Sequence, residues 1–257
     1  IIAIFADRLA PYDPLEILFT PDYQLAASLP ISADHLLGTT NLGRDIFSQL
    51  VIGTQSALLV GVTAAFMVVL IGTLVGLVSG YFGGWVDAMM RVTDIAFGIP
   101  ILPFIIVIAA FREPSVWNVV YAMALILWRD TARVIRSQVL TIRNHAYIEA
   151  ARVTGSSQMR ILFIHVAPNV LPLSFLYGSI AIGWAILTEA SISFLGFGDP
   201  NVISWGTMLQ DAYASQALSR GAWHWFVPPG IAIVLVVLAG FLISRGYEEL
   251  LFPKLKD

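Results

Sequence analysis

The side chains that could perform chemistry are few in this chain, and their types exclude several reactions. Both lysines, Lys254 and Lys256, lie in the last four residues, so the chain has no glycine-rich phosphate loop ending in a lysine. The four histidines are scattered and there is no cysteine, which excludes disulfides and thiolate metal sites. Neither a zinc-protease motif nor a Gly-x-Ser-x-Gly nucleophile motif occurs. We therefore expect that this chain is not an enzyme and that it binds no cofactor or metal ion.

Glu189 is the one acid that falls well inside a predicted membrane span, and Ser193 follows it by four residues. A carboxylate within a membrane is costly, and it is a functional-site hypothesis by default. Glu189 and Ser193 are therefore candidates for a transport pathway or for an intramembrane polar contact. Two other interpretations stay open. Glu189 could lie near the outer headgroups or pair with a polar group across a helix interface, or it could be the acid or base of a membrane-embedded enzyme.

A short charged segment, Tyr147 to Gly155, lies between two long apolar runs. Residues 142–153 are predicted to form a short amphipathic helix that stops at Gly155. Glu149 and Arg152 are three positions apart, so they are neighbours on one face of that helix. Because such a segment cannot lie in lipid, it should be an exposed loop that contacts a partner. The alternative is a solvated hairpin at the membrane surface.

The composition places the chain among membrane proteins. Of its 257 residues, 58% are hydrophobic and 12% are charged, whereas about 25% are charged in a soluble domain. The mean hydropathy is +0.80, and several apolar runs are long enough to cross a bilayer. The net charge of -3 gives no reason to expect a nucleic-acid partner. The predicted fold class is all-α and polytopic.

Six membrane spans are predicted. Residues 1–10 are interpreted as the outer end of a first helix whose start is missing, although six leading apolar residues could also end a signal peptide. The fourth span runs into Arg129 and its neighbouring arginines, which are expected to reach the headgroups. The second span is predicted near residues 56–82, and the third near 88–111, with an interruption at Gly98-Ile99-Pro100. The fourth, fifth and sixth spans are predicted near residues 114–129, 168–195 and 226–244.

Small residues recur every four positions in the second span, as Ala57, Gly61 and Ala65 on one stripe and as Gly72, Gly76 and Gly80 on another. Such stripes allow helix backbones to approach closely in lipid. Tight helix packing is the favoured interpretation. A lining for a substrate path, or for the pore of an ion channel, is the alternative.

The basic residues are distributed unequally between the two sides of the predicted spans. Ten of the 14 lysines and arginines fall on the side of the Glu149 loop and four on the other side. The excess predicts that this loop, about residues 137–167, and both termini are cytoplasmic. The predicted organisation is a helix end at residues 1–10, an outward-facing segment at 11–49 and a membrane domain at 50–257.

The spacing of the charged loop is similar to a known motif. The loop reads Glu149-Ala150-Ala151, then three residues, Gly155, nine residues and a segment that ends in Pro168. This spacing resembles the EAA loop of ABC importer permeases. Residues 37–45 resemble the segment before the second span of dipeptide, oligopeptide and nickel permeases, with Thr40 where an aspartate is usual. Residues 189–198 and 204–209 resemble two further signatures of that branch, and the resemblance favours its C-type subunit.

The resemblance implies a fold and a division of labour. The fold would be that of a MetI-like type I importer permease, and the chain would form half of a translocation pathway for peptides, or alternatively for oligosaccharides or nickel complexes. The implied partners are a second permease subunit, two ATPase subunits that carry ATP and magnesium, and an extracytoplasmic binding protein. The implied location is the plasma (inner) membrane of a prokaryote. The residues implied to couple the chain to the ATPases are Glu149, Ala150, Ala151, Arg152, Gly155 and Pro168.

Overall fold

A computed structural model describes residues 2–84 and 87–251 of the chain. The described part is helical, and it contains no β-strand beyond two isolated bridges, which join Phe19 to Leu25 and Thr39 to Asp45. A π-helical segment, Ile161–Val166, connects α7 to α8. The helices are α1 Ala6–Leu9, α2 Ile46–Phe82, α3 Asp87–Phe97, α4 Ile101–Ala110, α5 Val116–Ile142, α6 Ala146–Val153, α7 Gln158–Arg160, α8 Ala167–Phe194, α9 Trp205–Ala214 and α10 Trp223–Leu251.

Three described helices are long and apolar enough to cross a membrane, namely Ile46–Phe82, Gln158–Phe194 and Trp223–Glu249. A fourth crossing is available if α3 and α4, which are bent by 94° at their junction, form one broken span. Helix α5 is long enough, but every stretch of 18 residues in it includes Arg129, Asp130 and Arg133. The all-α polytopic fold is confirmed, while α5 differs from the other long helices in its charge.

Helix α2 begins at Ile46, ten residues before the span predicted at Ser56. The cause is a cap that hydropathy does not reveal. The Asp45 carboxylate accepts hydrogen bonds from the Ser48 backbone N–H at 2.8 Å and from the Ser48 hydroxyl at 2.7 Å. A carboxylate that accepts from the first turn satisfies a donor that the helix itself cannot pair, and it therefore starts the helix at this point.

The chain divides into two compact units. One unit comprises Ile1–Val62, Ile105–Val120 and Gly183–Ala239, and the other comprises Thr63–Phe104, Tyr121–Ile182 and Gly240–Asp257. In the first unit α9 packs closely on neighbouring helices. A Cβ added to Gly53 would lie 2.9 Å from Trp205 Cδ1, and the Trp205 indole N–H donates to the Leu50 carbonyl at 3.1 Å.

The glycine stripe of α2 packs against α5 within the second unit. An added Cβ would lie 2.6 Å from Thr131 Cβ at Gly72, 2.7 Å from Ile135 Cβ at Gly76 and 2.8 Å from Val139 Cβ at Gly80. Contacts this short leave no room for a side chain. For this stripe, the interpretation as a close helix–helix contact is therefore confirmed.

Arg129 caps the break between α3 and α4. Its side chain is buried and donates to the Ala96 carbonyl and, at 3.3 Å, to the Ile99 carbonyl. Its guanidinium also lies 4.7 Å from the centre of the Phe97 ring. The expectation that all the arginines of α5 reach the headgroups is therefore wrong for Arg129. At the interruption the Ala96 carbonyl accepts from the Ile99 N–H at 3.2 Å, and the residue four positions after Ile99 is Pro103, which has no N–H to give to the Ile99 carbonyl. The buried guanidinium supplies a donor to both carbonyls.

Candidate functional site

The charged loop folds as a separate short helix between α5 and α8. Helix α5 continues to Ile142 and α6 begins at Ala146, so the predicted helix over residues 142–153 is interrupted at its start. His145 has an extended backbone conformation at the first position before α6, and its ring nitrogen Nδ1 lies 2.9 Å from the Thr141 carbonyl. The chain therefore turns sharply at residues 143–145, which separates α6 from the long axis of α5.

Ile148 holds α6 in place. Its side chain is fully buried in a cluster that includes Ile135 and Val139 of α5 and Ile161 and Leu162 of the π-helical segment. Ala151, three positions further along α6, is partly buried and packs against the same cluster. Because α6 has only eight residues, it is too short to be stable alone. Its position therefore depends on this one buried face.

The opposite face of α6 is open to solvent. Glu149, Ala150 and Arg152 are exposed, and Tyr147 and Val153 are 45% and 87% exposed. Among the described ion pairs, none joins the Glu149 carboxylate to the Arg152 guanidinium. The helix thus presents two separate charges and a group of apolar side chains on a rigidly anchored support.

Gly155 closes α6 through a Schellman motif. The Gly155 N–H donates to the Arg152 carbonyl at 3.0 Å, and the Ser156 N–H donates to the Ala151 carbonyl at 3.1 Å. These are the two bonds that define the motif, which requires a left-handed residue just after the helix. Gly155 has φ +81° and nothing lies within 4 Å of a Cβ added there. Its requirement for glycine is therefore conformational and not steric.

Pro168 follows a local widening of the helix that leads into the membrane. The Ala167 N–H bonds to the Leu162 carbonyl, five residues back, which is the π-helical pattern. Proline has no N–H to give to the carbonyl four residues before it. The Asn169 side chain donates to the His165 carbonyl at 2.6 Å. The Pro168-Asn169 pair therefore marks the end of the π-helical segment, and Asn169 satisfies one of its carbonyls.

Glu189 and Ser193 form a buried polar pair near the end of α8. Both side chains are buried, and the Ser193 hydroxyl donates to the Glu189 carboxylate at 2.6 Å. Ser204, which caps the start of α9, is also buried, and it belongs to the same compact unit. The start of α9 lies against α8 here, because a Cβ on Gly206 would be 2.6 Å from the Ala190 carbonyl. The first turn of α9 therefore packs against α8 beside the Glu189–Ser193 pair.

The structure therefore brings the predicted loop residues Glu149 to Gly155 together on one small exposed element, with Pro168 at the far end of the connection. Glu189 and Ser193 belong to the other compact unit. Sequence reasoning missed the anchoring residue Ile148, although helical periodicity could have indicated it. It also missed Arg129, for which the broken segment before Pro100 was the available sign.

These features define a class of protein: an all-α polytopic membrane subunit that carries an anchored, exposed helix between two apolar segments. Residues 69–257 match the family described as binding-protein-dependent transport system inner membrane component. The matched region is most of the chain, and it contains the whole of the charged loop. The chain belongs to this family of ABC transporter permeases.

Similarity to transport-system permease proteins over the whole of the given chain agrees with this membership. The chain is 38% identical to a glutathione transport system permease protein, GsiD, of Pectobacterium atrosepticum, over 100% of the chain and 83% of the relative. It is 35% identical to the oligopeptide transport system permease protein OppC of Bacillus subtilis, over 100% of the chain and 82% of the relative. A GsiD protein of Escherichia coli O1:K1 is 39% identical over 100% of the chain and 83% of the relative.

Proposed function

We propose that this chain forms half of a peptide pathway in an ABC importer and that α6 is the element through which ATPase subunits drive it. The observation that carries the proposal is an exposed helix with the EAA spacing, Glu149 to Gly155, held rigidly by the buried side chain of Ile148. A helix that transmits force between subunits must be exposed to its partner and firmly attached to its own chain. Helix α6 meets both conditions.

Two ATPase subunits are the proposed partners of this loop, and ATP and magnesium would bind to them. The absence of a lysine-bearing phosphate loop from the sequence supports a separate ATPase. Among the described residues, no group of three His, Cys, Asp or Glu side chains could hold a metal ion. A second permease subunit would complete the pathway, and an extracytoplasmic binding protein would deliver the substrate. Closure of the ATPases would move the α6 helices as rigid levers and switch the pathway between its two openings.

The proposed roles of the loop residues follow from their positions. Glu149 and Arg152 are exposed charges that would make charge-assisted hydrogen bonds to the ATPase. Ala150, being small and exposed, would allow close approach, and Ala151 would help to seat the helix on its own chain. Gly155 would hold the sharp turn, and Pro168 would set the re-entry into the membrane.

The proposed orientation places α6 and both termini in the cytoplasm, in the inner membrane of a prokaryote. The ten-to-four distribution of basic residues supports this orientation. Glu189 and Ser193 would then lie toward the outer side, where their hydrogen bond to each other and the close packing of α9 on α8 beside them support a role as an intramembrane polar contact. This role would keep α8 and α9 together beside the pathway.

Peptides are the proposed cargo. The similar proteins include permeases of glutathione and oligopeptide transport systems, and glutathione is itself a small peptide. The branch that the motifs resemble includes peptide importers, which agrees with this choice.

The proposal is tested with the assembled transporter in proteoliposomes, by measuring ATP hydrolysis and peptide uptake together. Glu149→Lys reverses an exposed charge on α6, and Gly155→Pro removes the N–H that bonds to Arg152 and forbids the positive φ. Both variants should reach the membrane and should lose the stimulation of ATP hydrolysis by loaded binding protein, together with uptake. Glu113→Lys, which reverses an exposed charge outside the loop, is the control for the first variant.

Gly155→Asn is the matched control for the proline variant, because asparagine tolerates the left-handed conformation. It should keep most of the stimulation and uptake. If Glu149→Lys and Gly155→Pro transported peptide as the parent does, the assignment of α6 as the coupling element would be wrong. If the parent transporter takes up no peptide, the proposed cargo is wrong. The coupling role of α6 is then tested by the stimulation of ATP hydrolysis alone.

A further inference from the structure

An exposed carboxylate of α5 lies level with an apolar stretch of α2. The two helices touch where a Cβ added to Gly72 would lie 2.6 Å from Thr131 Cβ, so Asp130, the residue before Thr131, is level with Gly72. From Ala57 to Val78, α2 has 22 residues without a charge, and its only polar side chains there are two threonines. At 1.5 Å per residue this stretch is about 33 Å long, close to the thickness of the hydrocarbon core of a bilayer.

Asp130 is therefore level with the hydrocarbon core. Gly72 lies six residues before the end of the apolar stretch, which corresponds to about 9 Å. An aspartate side chain is too short to cover that distance, whereas the long stems of lysine and arginine can reach the headgroups. The Asp130 side chain is 59% exposed, and its contact with Arg129 Nε, at 3.8 Å, is too long for a hydrogen bond. Contact of this carboxylate with lipid is costly, so its exposed surface requires water or protein.

A break in the neighbouring helix lies at the same level. Arg129, next to Asp130, donates to two backbone carbonyls at the junction of α3 and α4, which places this junction beside the same turn of α5. Gly98 and Pro100 of the junction are exposed. Within the hydrocarbon region, non-helical backbone is tolerated only where protein covers it or where it lines a cavity filled with water. The exposed junction is thus a second, independent sign of water at this depth.

Exposed polar side chains continue along α5 from Asp130 towards α6. Arg133, Ser137 and Thr141 follow at intervals of four residues, and all three are exposed. Residues three or four apart are neighbours on a helix surface, so these four residues form one polar stripe of α5. Arg133 also pairs with Asp94 of α3 at 2.8 Å, and both side chains remain more than half exposed. The polar stripe thus joins the exposed junction to the end of α5 that leads into α6.

The exposed residues of α2 at this depth are of the opposite kind. Leu70 and Leu74 are 47% and 49% exposed, and each lies two positions from Gly72. Lipid can cover these leucines without cost, but it cannot cover the polar stripe. A protein surface could cover the stripe only with matching charges, because an ion taken out of water without a partner is strongly destabilising. Water is the covering that needs no further group.

We propose that the polar stripe of α5, together with the exposed junction of α3 and α4, lines a water-filled passage through which a hydrophilic cargo crosses the membrane. This assignment rests on the proposed function as a permease subunit, and it adds which face of the chain meets the cargo. The stripe ends at Thr141, next to the turn that leads into α6, so the passage opens on the side of α6. Asp130 is the deepest charge of the stripe.

The test uses the lack of cysteine in this chain. Asp130→Cys and Ser137→Cys are each introduced into the transporter assembled with its partner subunits in proteoliposomes. A charged methanethiosulfonate reagent, present on both sides of the bilayer, labels thiols that water reaches, and mass spectrometry follows the label on this chain. Leu70→Cys is the matched control, because it is exposed at the same depth on α2.

Both stripe positions should be labelled at least about tenfold faster than Leu70→Cys. The reagent attacks the thiolate, and a thiol in apolar surroundings has a raised pKa, of which each unit lowers the thiolate fraction tenfold. Uptake of peptide is measured on the same preparations. Ser137→Cys exchanges one small side chain for another and should transport before labelling. Its uptake should then fall in proportion to the labelled fraction, since the attached group narrows the passage, and reduction with dithiothreitol should restore it.

Three results overturn the assignment. Resistance of both stripe positions to labelling would show that lipid or the second permease subunit covers the stripe. Labelling of Leu70→Cys as fast as the stripe positions would show that water is not confined to this face. Unchanged uptake after labelling of Ser137→Cys would show a crevice that the cargo does not use.

Uptake of peptide by the parent, combined with any of these three results, refutes the passage alone. Labelling with the expected differences, in a parent transporter that takes up no peptide, supports the water-filled face and refutes the proposed cargo. The two proposals therefore fail separately.

Discussion

Replacing Ile148 by alanine should release α6 from its support. Ile148 is fully buried and is the main residue of α6 in the core cluster, where it meets residues of α5 and of the π-helical segment. Truncation of a buried isoleucine to alanine costs about 2–5 kcal/mol. Helix α6 has eight residues and little stability of its own, so we expect the loss to appear first as local opening of the loop.

The assay is amide hydrogen exchange of the assembled transporter, followed by mass spectrometry of peptides that cover residues 146–156. A loss of 2 kcal/mol corresponds to an increase of about 30-fold in the opening equilibrium, because each 1.4 kcal/mol is a factor of ten. Exchange in α6 should rise by at least about this factor. Substrate-stimulated ATP hydrolysis should fall in parallel, since a loosened helix cannot transmit force.

Val153→Ala is the matched control, because Val153 lies on the same helix and its side chain is 87% exposed. A surface substitution of this kind changes stability by less than about 0.5 kcal/mol. The reasoning fails if Ile148→Ala and Val153→Ala give the same exchange in α6. Normal exchange combined with lost stimulation would also refute it, because the side chain would then act on the ATPase without holding the helix.

Three further changes have expected outcomes. Gly155→Ala should destabilise the loop by about 1–2 kcal/mol through its positive φ alone, seen as faster exchange of residues 150–156, whereas Gly155→Asn should not. Arg129→Gln removes the guanidinium that donates to the Ala96 and Ile99 carbonyls, and it should lower the thermal unfolding midpoint by the equivalent of about 2 kcal/mol. Arg91→Gln changes an exposed arginine and should leave the midpoint unchanged. Because partial desolvation of its carboxyl raises the pKa of Asp211 in the folded chain, ionisation of Asp211 opposes folding. Asp211→Asn should therefore leave the free energy of unfolding unchanged below about pH 4, where the carboxyl is protonated in both states. Above the pKa that Asp211 has in the folded chain, the variant should be more stable than the parent by less than about 1 kcal/mol. Thermal unfolding of both proteins at a pH on each side of this range checks the sign.

The properties that depend on neighbouring residues in the chain were accessible from the sequence. The apolar runs, the scarcity of charge and the break at Gly98-Ile99-Pro100 predict an all-α membrane protein with one interrupted helix, and the structure has these features. The helix stop at Gly155 follows from the same kind of local argument, since it depends on the backbone freedom of one residue. The EAA spacing indicated the family, which the comparisons confirm.

Only the tertiary structure could decide which polar groups satisfy one another. Arg129 lies about thirty residues from the carbonyls that it caps, and Arg44, Asp211 and Trp225, which are far apart in the sequence, line one small cavity. The start of α2 at Ile46 depended on the Asp45 carboxylate, which hydropathy treats only as a charge. Periodicity shows that one face of a helix is apolar, but it does not identify what covers that face. The burial of Ile148 and the exposure of Val153 were therefore decided by packing between distant segments, where contact depends on the folded path of the chain.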